Sequence, residues 1–565
     1  IVSIDQNLDT TDNTKFATIS TTGTSLLLAT GTNSGNASTA KIDSGKTVKT
    51  TTNVGLISTD GAKAINEGRL TSDIVSGVGL YSKKATAENS SNTSTIIMNK
   101  EKSAAIFGED NSTLINEGTI NLEDKESGGI LAKDSNATNK GTDSVINVEK
   151  VKSAGIAIET TLDATNTAIA TTEKTAKNEG TITLKNTSTG SAAMLGKRAA
   201  GTPKVALSNS GTINVESTGS VGINADNTVG DKEKLVVDNS KIINVKAEKS
   251  AGINAIKATV TNTAANGNIS LTAKNTAGII AKDGSEVTNN GKISTSGVTV
   301  PAPTPTTSAG LVGISADAST VTNGSTGEIT LDTAYSAGIY GTNTSTIKNV
   351  GDITAEKNNS VGIYVEANST AENTGNITMK KEGSAAMYGD ESRITNKKDG
   401  TAVGTIIVKE KASAAMYAKN IDAINDEGAK ITVENEGSAG MYIDVDKANI
   451  SANGTNKGTI TLDTGAKSSA GILAKLGTSA DKVTTITNEG EIKVDGGDAA
   501  KPSVAISAEN LTATVGNLLV ENKKDINLNS EKSIGLFLNN SKAINETNGN
   551  INVKRKDATG VFAKN

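Results

Sequence analysis

Apolar and polar positions alternate in short runs along the chain. Thr119-Ile120-Asn121-Leu122, Thr181-Ile182-Thr183-Leu184, Thr212-Ile213-Asn214-Val215 and Glu491-Ile492-Lys493-Val494 are four of them. A period of two predicts strands with one buried face. Asn-x-Gly stands before each, as Asn116-Glu117-Gly118, Asn178-Glu179-Gly180, Asn209-Ser210-Gly211 and Asn488-Glu489-Gly490. The Gly suits a turn that needs positive φ. Segments such as Ser345-Thr346-Ile347-Lys348-Asn349 make a further candidate strand just ahead of the turn. No stretch carries a 3.6-residue apolar period of helix length.

A five-residue unit recurs between these runs. Ser336-Ala337-Gly338-Ile339-Tyr340 returns as Ser360-Val361-Gly362-Ile363-Tyr364 and as Ser384-Ala385-Ala386-Met387-Tyr388. Earlier copies include Ser103-Ala104-Ala105-Ile106-Phe107, and later ones Ser469-Ala470-Gly471-Ile472-Leu473. Indexed by its third residue, the unit occurs 19 times between Gly55 and Gly560, at intervals of 24 to 38 residues. The mean of about 28 lies in the range of solenoids. Each repeat holds about three short strands, which predicts an all-β fold, a parallel β-helix (β-solenoid) of about 19 coils. Coils stacked at about 4.8 Å would make a rod roughly 90 Å long. A leucine-rich repeat has a similar period but needs far more Leu than this chain carries. Disorder is argued against by the residue after each indexed Gly or Ala, which is Ile, Leu, Met or Val in every copy.

Residues 1–52 lack a clear copy and are rich in Thr and Ser, so they are expected to form an irregular N-terminal coil or two. The rod is expected over 53–565. Intervals lengthen near 158–176, 197–206, 226–235 and 295–307, where loops should be extruded. Pro301, Pro303 and Pro305 fall in the last of these, and Pro cannot donate to a strand ladder.

The alternation of Ser-Ala-Gly-Ile-Tyr with Asn-Glu-Gly-Thr-Ile-x-Leu resembles the passenger region of the large fusobacterial autotransporter adhesins of type V secretion. The resemblance runs from Val54 onward. It implies a right-handed β-helix on the bacterial cell surface, carried outward by a C-terminal membrane β-barrel that is absent from this sequence. It also implies adhesion to a host cell-surface glycan or receptor protein, or to partner bacteria. The first residues, Ile1-Val2-Ser3, are neither a signal peptide nor a Met start, and the chain reads as a piece of something larger. No ligand-binding motif of that family maps onto these residues.

Composition narrows the chemistry. The chain has 565 residues, 56 Lys+Arg against 61 Asp+Glu, a net charge of −5, and no His, Cys or Trp. Ser-His-Asp and Cys-His catalysis, thiolate or imidazole metal sites, disulfides and histidine pH switches are excluded. A slightly acidic chain without a basic stripe predicts no nucleic-acid partner. No apolar run approaches the length of a membrane-spanning helix. Acid pairs such as Asp390/Glu391 and Asp426/Glu427 occur as chance demands in a charged surface, and Arg69, Arg198, Arg393 and Arg555 do not cluster. Neither an EF-hand loop nor a Gly-Gly-x-Gly-x-Asp tandem is present. The chain is not expected to be an enzyme, to bind a metal or to carry a cofactor.

Two columns of residues stand out. Asn116, Asn139, Asn178, Asn209, Asn289, Asn349, Asn373 and Asn488 share one register position and predict a ladder of side-chain amides. Six of the seven Tyr and three of the four Phe occupy another, two residues after the indexed Gly or Ala. Strand alternation sends that column outward, and with it the indexed Gly/Ala column, which predicts a flat face beside the rings. Tyr340, Tyr364, Tyr388, Tyr417 and Tyr442 fall on five consecutive coils and are the candidate ligand-binding residues. Set against this is a ladder that only stabilises neighbouring rungs. The functional expectation is an adhesin segment. The alternatives are a passive stalk whose ligand site lies elsewhere in the full chain and, more remotely, a β-helical carbohydrate-active enzyme.

Overall fold

The computed structural model describes residues 3–4, 25–33, 36–50, 52–163, 165, 167–227, 231–264, 266–299, 310–512 and 514–564. The chain divides into two units, Ile1–Val287 and Thr288–Asn565. Both are right-handed parallel β-helices, with about nineteen coils in total. No helix among the described residues is long and apolar enough to cross a membrane.

One coil of the second unit shows the plan. Ala337–Thr342 lies in the first sheet, Thr346–Asn349 in the second and Asp352–Ala355 in the third. The next coil repeats it with Val361–Val365, Thr370–Asn373 and Asn376–Met379, each strand parallel to its predecessor. In the first unit, Ala104–Glu109, Thr113–Asn116 and Thr119–Leu122 do the same. In this coil the second and third sheets alternate: Ile347 and Asn349 point inward, as do Ile353 and Ala355. Ile, Leu, Val and Met from all three sheets fill the centre of each coil, and most of them are completely buried.

The first sheet breaks the alternation, and this corrects the expected flat Gly/Ala face. Gly338 and Ile339 are both buried, and Tyr340 is the next residue to face out. Pairing with the next coil steps from Ala337↔Val361 to Ile339↔Ile363, passing over the glycine. A Cβ on Gly338 would sit 2.5 Å from the Gly362 carbonyl oxygen and 3.1 Å from Ile353 Cγ2. The small column is therefore set by the approach of the next coil's backbone and of a core isoleucine. It does not lie on the surface.

Serines line the turn before the first sheet. In the second unit the backbone N–H of Ser360 donates to Ser384 Oγ at 3.3 Å, and the pattern continues through Ser413, Ser438, Ser469 and Ser503. The residue before the serine takes positive φ at Asn359, Gly383, Ala412, Gly437 and Ser468, and Pro502 replaces it before Ser503. Tyr335 holds that turn position with φ 57°, which is why it stands apart from the other tyrosines.

Ser25–Thr30, Thr39–Ile42 and Thr47–Thr50 pair with Val54–Thr59, Lys63–Asn66 and Arg69–Ser72, so residues 25–50 supply one strand to each sheet. Within 158–176 the chain leaves the strand at Thr160 and makes an antiparallel bridge between Leu162 and Ala168. It returns to a strand at Lys174. Within 197–206, Arg198 donates through Nη2 to the Thr202 carbonyl at 2.7 Å and holds the turn. Within 226–235 a short 3-10 turn spans Lys232–Lys234. Pro301, Pro303 and Pro305 lie outside the described residues. A small hairpin pairing Lys398–Asp399 with Ala402–Val403 is extruded where the sequence interval hardly lengthens.

Candidate contact surface on the tyrosine face

The five tyrosines are in register across five strands: Tyr340↔Tyr364↔Tyr388↔Tyr417↔Tyr442. Their ring centroids are 5.4, 4.9, 4.8 and 4.6 Å apart along the series. The contacts change from tilted, through two edge-on pairs, to a stacked pair at 15° between Tyr417 and Tyr442. Such pairs add stability beyond the burial of their area. All five rings are half-buried.

The hydroxyls divide into two groups. Tyr340 and Tyr364 both donate to Glu366, the latter at 2.8 Å, and Tyr417 donates to Asp444 at 2.9 Å. The hydroxyls of Tyr388 and Tyr442 make no hydrogen bond within the protein among the described residues. Burial, followed by nearby carboxylates, pushes the phenols of Tyr340, Tyr388 and Tyr442 up to about 12. The same causes push Tyr364 and Tyr417 higher still. Burial also raises Asp390, with Lys419 opposing it.

Beside Tyr417 and Tyr442 runs an open groove of about 640 Å³. Its walls come from five successive coils, entering at Gly383–Ala385, Ala412–Ala414, Gly437–Ala439, Ser468–Ala470 and Pro502–Val504. Every residue that lines it is uncharged. Small residues do reach this face, but they stand one place earlier in the repeat than expected: Ala385, Ala414, Ala439 and Ala470, next to the buried indexed column.

The asparagine column is interior. In the second unit Nδ2 of each residue donates to Oδ1 of the next through Asn289, Asn323, Asn349, Asn373, Asn396, Asn425, Asn456, Asn488, Asn522 and Asn545, at 2.7 to 2.9 Å. In the first unit the chain of bonds runs through Asn66, Asn89, Asn116, Asn139, Asn178, Asn209, Asn239 and Asn262. It begins at Asn66, whose Oδ1 is buried without a partner, because Ile42 occupies the matching position one coil earlier. Reading by Asn-x-Gly alone misses Asn89, Asn239, Asn262, Asn323, Asn396, Asn425, Asn522 and Asn545. Their common signal is an inward residue two places before the Asn, as in Ala87-Glu88-Asn89 and Val321-Thr322-Asn323.

The acid pairs lie at different corners of the coil. Glu391 pairs with Lys447, and Asp426 lies 4.0 Å from Lys457. In the first unit the outward column is mixed. Tyr81 and Phe107 meet at 5.7 Å, followed by Leu131, Ala157, Leu195 and the hydrogen-bonded pair Asn224 and Asn254. The short Ala157 leaves an apolar dimple of about 230 Å³ between Phe107 and Leu195.

Residues 211–420 match the family model described as the BigA third pectate lyase-like domain. The match covers 210 of 565 residues and takes in Tyr340, Tyr364, Tyr388 and Tyr417. No curated protein matches the chain. The family match supports a β-helix of the kind that forms autotransporter passengers.

Proposed function

We propose that this chain is a passenger segment of a surface-exposed bacterial adhesin, of the kind carried by fusobacterial autotransporters. We assign its contact with host cells or partner bacteria to the tyrosine face of the second unit. BigA is an autotransporter-type adhesin, and the match to one of its domains supports the passenger reading. The single observation that carries the contact surface is local. Five tyrosines stand in register, and the last two of them, Tyr417 and Tyr442, border a groove in which no charge has to be desolvated on binding. Tyr combines a rigid apolar ring with a polar tip and is enriched in recognition surfaces.

The spacer reading has its own observation. Tyr340, Tyr364 and Tyr417 spend their hydroxyls on Glu366 and Asp444 within the chain. A ladder satisfied in this way also suits a stalk. The two readings separate in one titration. Purified chain is added to epithelial cells beside a variant with Tyr340, Tyr364, Tyr388, Tyr417 and Tyr442 changed to Ser, both checked for β-type circular dichroism. Saturable binding lost in the folded variant is the expected result. Absence of binding by either protein leaves the stalk.

A further inference from the structure

The groove differs from the rest of the surface in its charge. Asp, Glu, Lys and Arg make up 21% of the chain, yet none of them lines the 640 Å³ groove. The volume is that of a small-ligand site. Its shape follows the fold: five coils at about 4.8 Å spacing give a trough roughly 19 Å long. Methyl groups of Ala414, Ala439 and Ala470 form part of the lining, and the Tyr417–Tyr442 stack stands beside them. Among the described residues the Tyr442 hydroxyl has no hydrogen-bond partner, and the same holds for Tyr388 one coil before Tyr417.

The surroundings bias the choice of ligand. Carboxylates of Asp390, Asp444, Asp446 and Glu366 all act on Tyr388, and Asp444 and Glu509 on Tyr442. Of the lysines around the groove, Lys419 lies 3.8 Å from Asp446, and Lys447, Lys411, Lys467 and Lys501 pair with Glu391, Glu382, Asp498 and Glu436, while Lys475 stands in register between Asp444 and Glu509. An anionic ligand would lose its water against a lining that offers no cation. An uncharged chain with apolar C–H faces and many hydroxyls meets no such penalty. Its faces fit alanine methyls and aromatic rings, and its hydroxyls fit the Tyr442 phenol.

From this geometry we infer that the groove binds an uncharged oligosaccharide, a few sugar rings long, lying along the coil axis beside Tyr417 and Tyr442. The inference rests on the contact-surface reading above and adds the chemical class of the ligand. It also moves the centre of the site toward the later coils of the tyrosine series.

The test uses the whole chain on an array of neutral oligosaccharides and their sialylated and sulfated counterparts, with the same sugars as competitors of cell binding. Ala439→Lys places a cation and bulk in the groove without altering a tyrosine. Leu473→Lys does so from the rim and guards against a folding defect in the first variant. Neutral sugars should bind and compete while the acidic forms do not, and each folded variant should lose roughly tenfold or more in affinity. Cell binding that neutral sugars do not displace, or that survives both lysines, overturns the ligand class and leaves the adhesin reading intact. The same holds for binding abolished by protease treatment of the cells but not by sugar. No binding to cells or array at all overturns both.

Discussion

The asparagine column and the tyrosine column are products of the same repeat, and they differ in a way that separates scaffold from surface. The asparagines run through both units, are buried almost throughout, and hand one amide proton to the next coil at nearly constant distance. The tyrosines occupy five coils of one unit, are half-buried, change ring geometry from pair to pair, and leave two hydroxyls free. A property that the stacking uses is repeated from coil to coil, here from Asn66 to Asn262 in one unit and from Asn289 to Asn545 in the other. A buried amide ladder is such a property, because each rung satisfies polar groups that water cannot reach. A run confined to a few coils is not required by the stacking. The first unit makes the same first sheet with Leu131, Ala157 and Asn224 at that position.

The sharpest way to break this contrast is to delete one rung of each column. Asn373→Ala removes the acceptor of Asn349 and the donor to Asn396, both buried. A cost of about 2–4 kcal/mol is expected, read from urea unfolding and from amide exchange in Thr346–Asn349 and Arg393–Asn396. Tyr388→Ser removes two edge-on ring contacts from a half-buried site and should cost less, about 1–3 kcal/mol. Equal costs would mean that the tyrosines are as structural as the asparagines.

Alkaline titration sharpens the contrast further. Tyr340, Tyr388 and Tyr442 hold their protons to about 12 in the folded chain, whereas an unfolded Tyr ionises near 10. The unfolded state therefore binds fewer protons between those values, and stability falls as pH rises from about 10 to 12. Below pH 10 this contribution is fully present. Tyrosinate absorbance should lag that of free tyrosine, and the five-serine variant should lack this part of the alkaline loss. The smallest effect is expected on the charged surface. Lys380→Ala removes a 2.6 Å pair with Glu356 that is open to solvent, worth about 1 kcal/mol or less and fading with salt.

How much of this was legible follows from the range of each physical constraint. The coil period is written in single residues: the Ile, Leu, Met or Val after each indexed Gly or Ala must fill the core once per turn. The asparagine ladder was legible only where a glycine marks the turn two residues on. At Asn262 and Asn396 that glycine is displaced to Gly267 and Gly404 by longer turns, and the motif fails although the register does not. Strict alternation misplaced the indexed column because Gly338 and Ile339 both face inward, a local departure that only the packing against Gly362 and Ile353 enforces. The groove was not legible at all. It arises where turn residues such as Gly383 and Gly437 come beside Tyr417 and Tyr442, residues separated in sequence and adjacent only once the coils are stacked.

The central claim is that the tyrosine face serves contact beyond the needs of the fold. The free hydroxyls test it most directly, because they do nothing for the chain itself. A double variant, Tyr388→Phe with Tyr442→Phe, keeps both rings and removes only those two groups. Stability and cell binding should be measured on the same sample. The urea midpoint should be unchanged and binding clearly lost. Binding at the level of the unaltered chain would contradict the claim and return the tyrosine column to the scaffold.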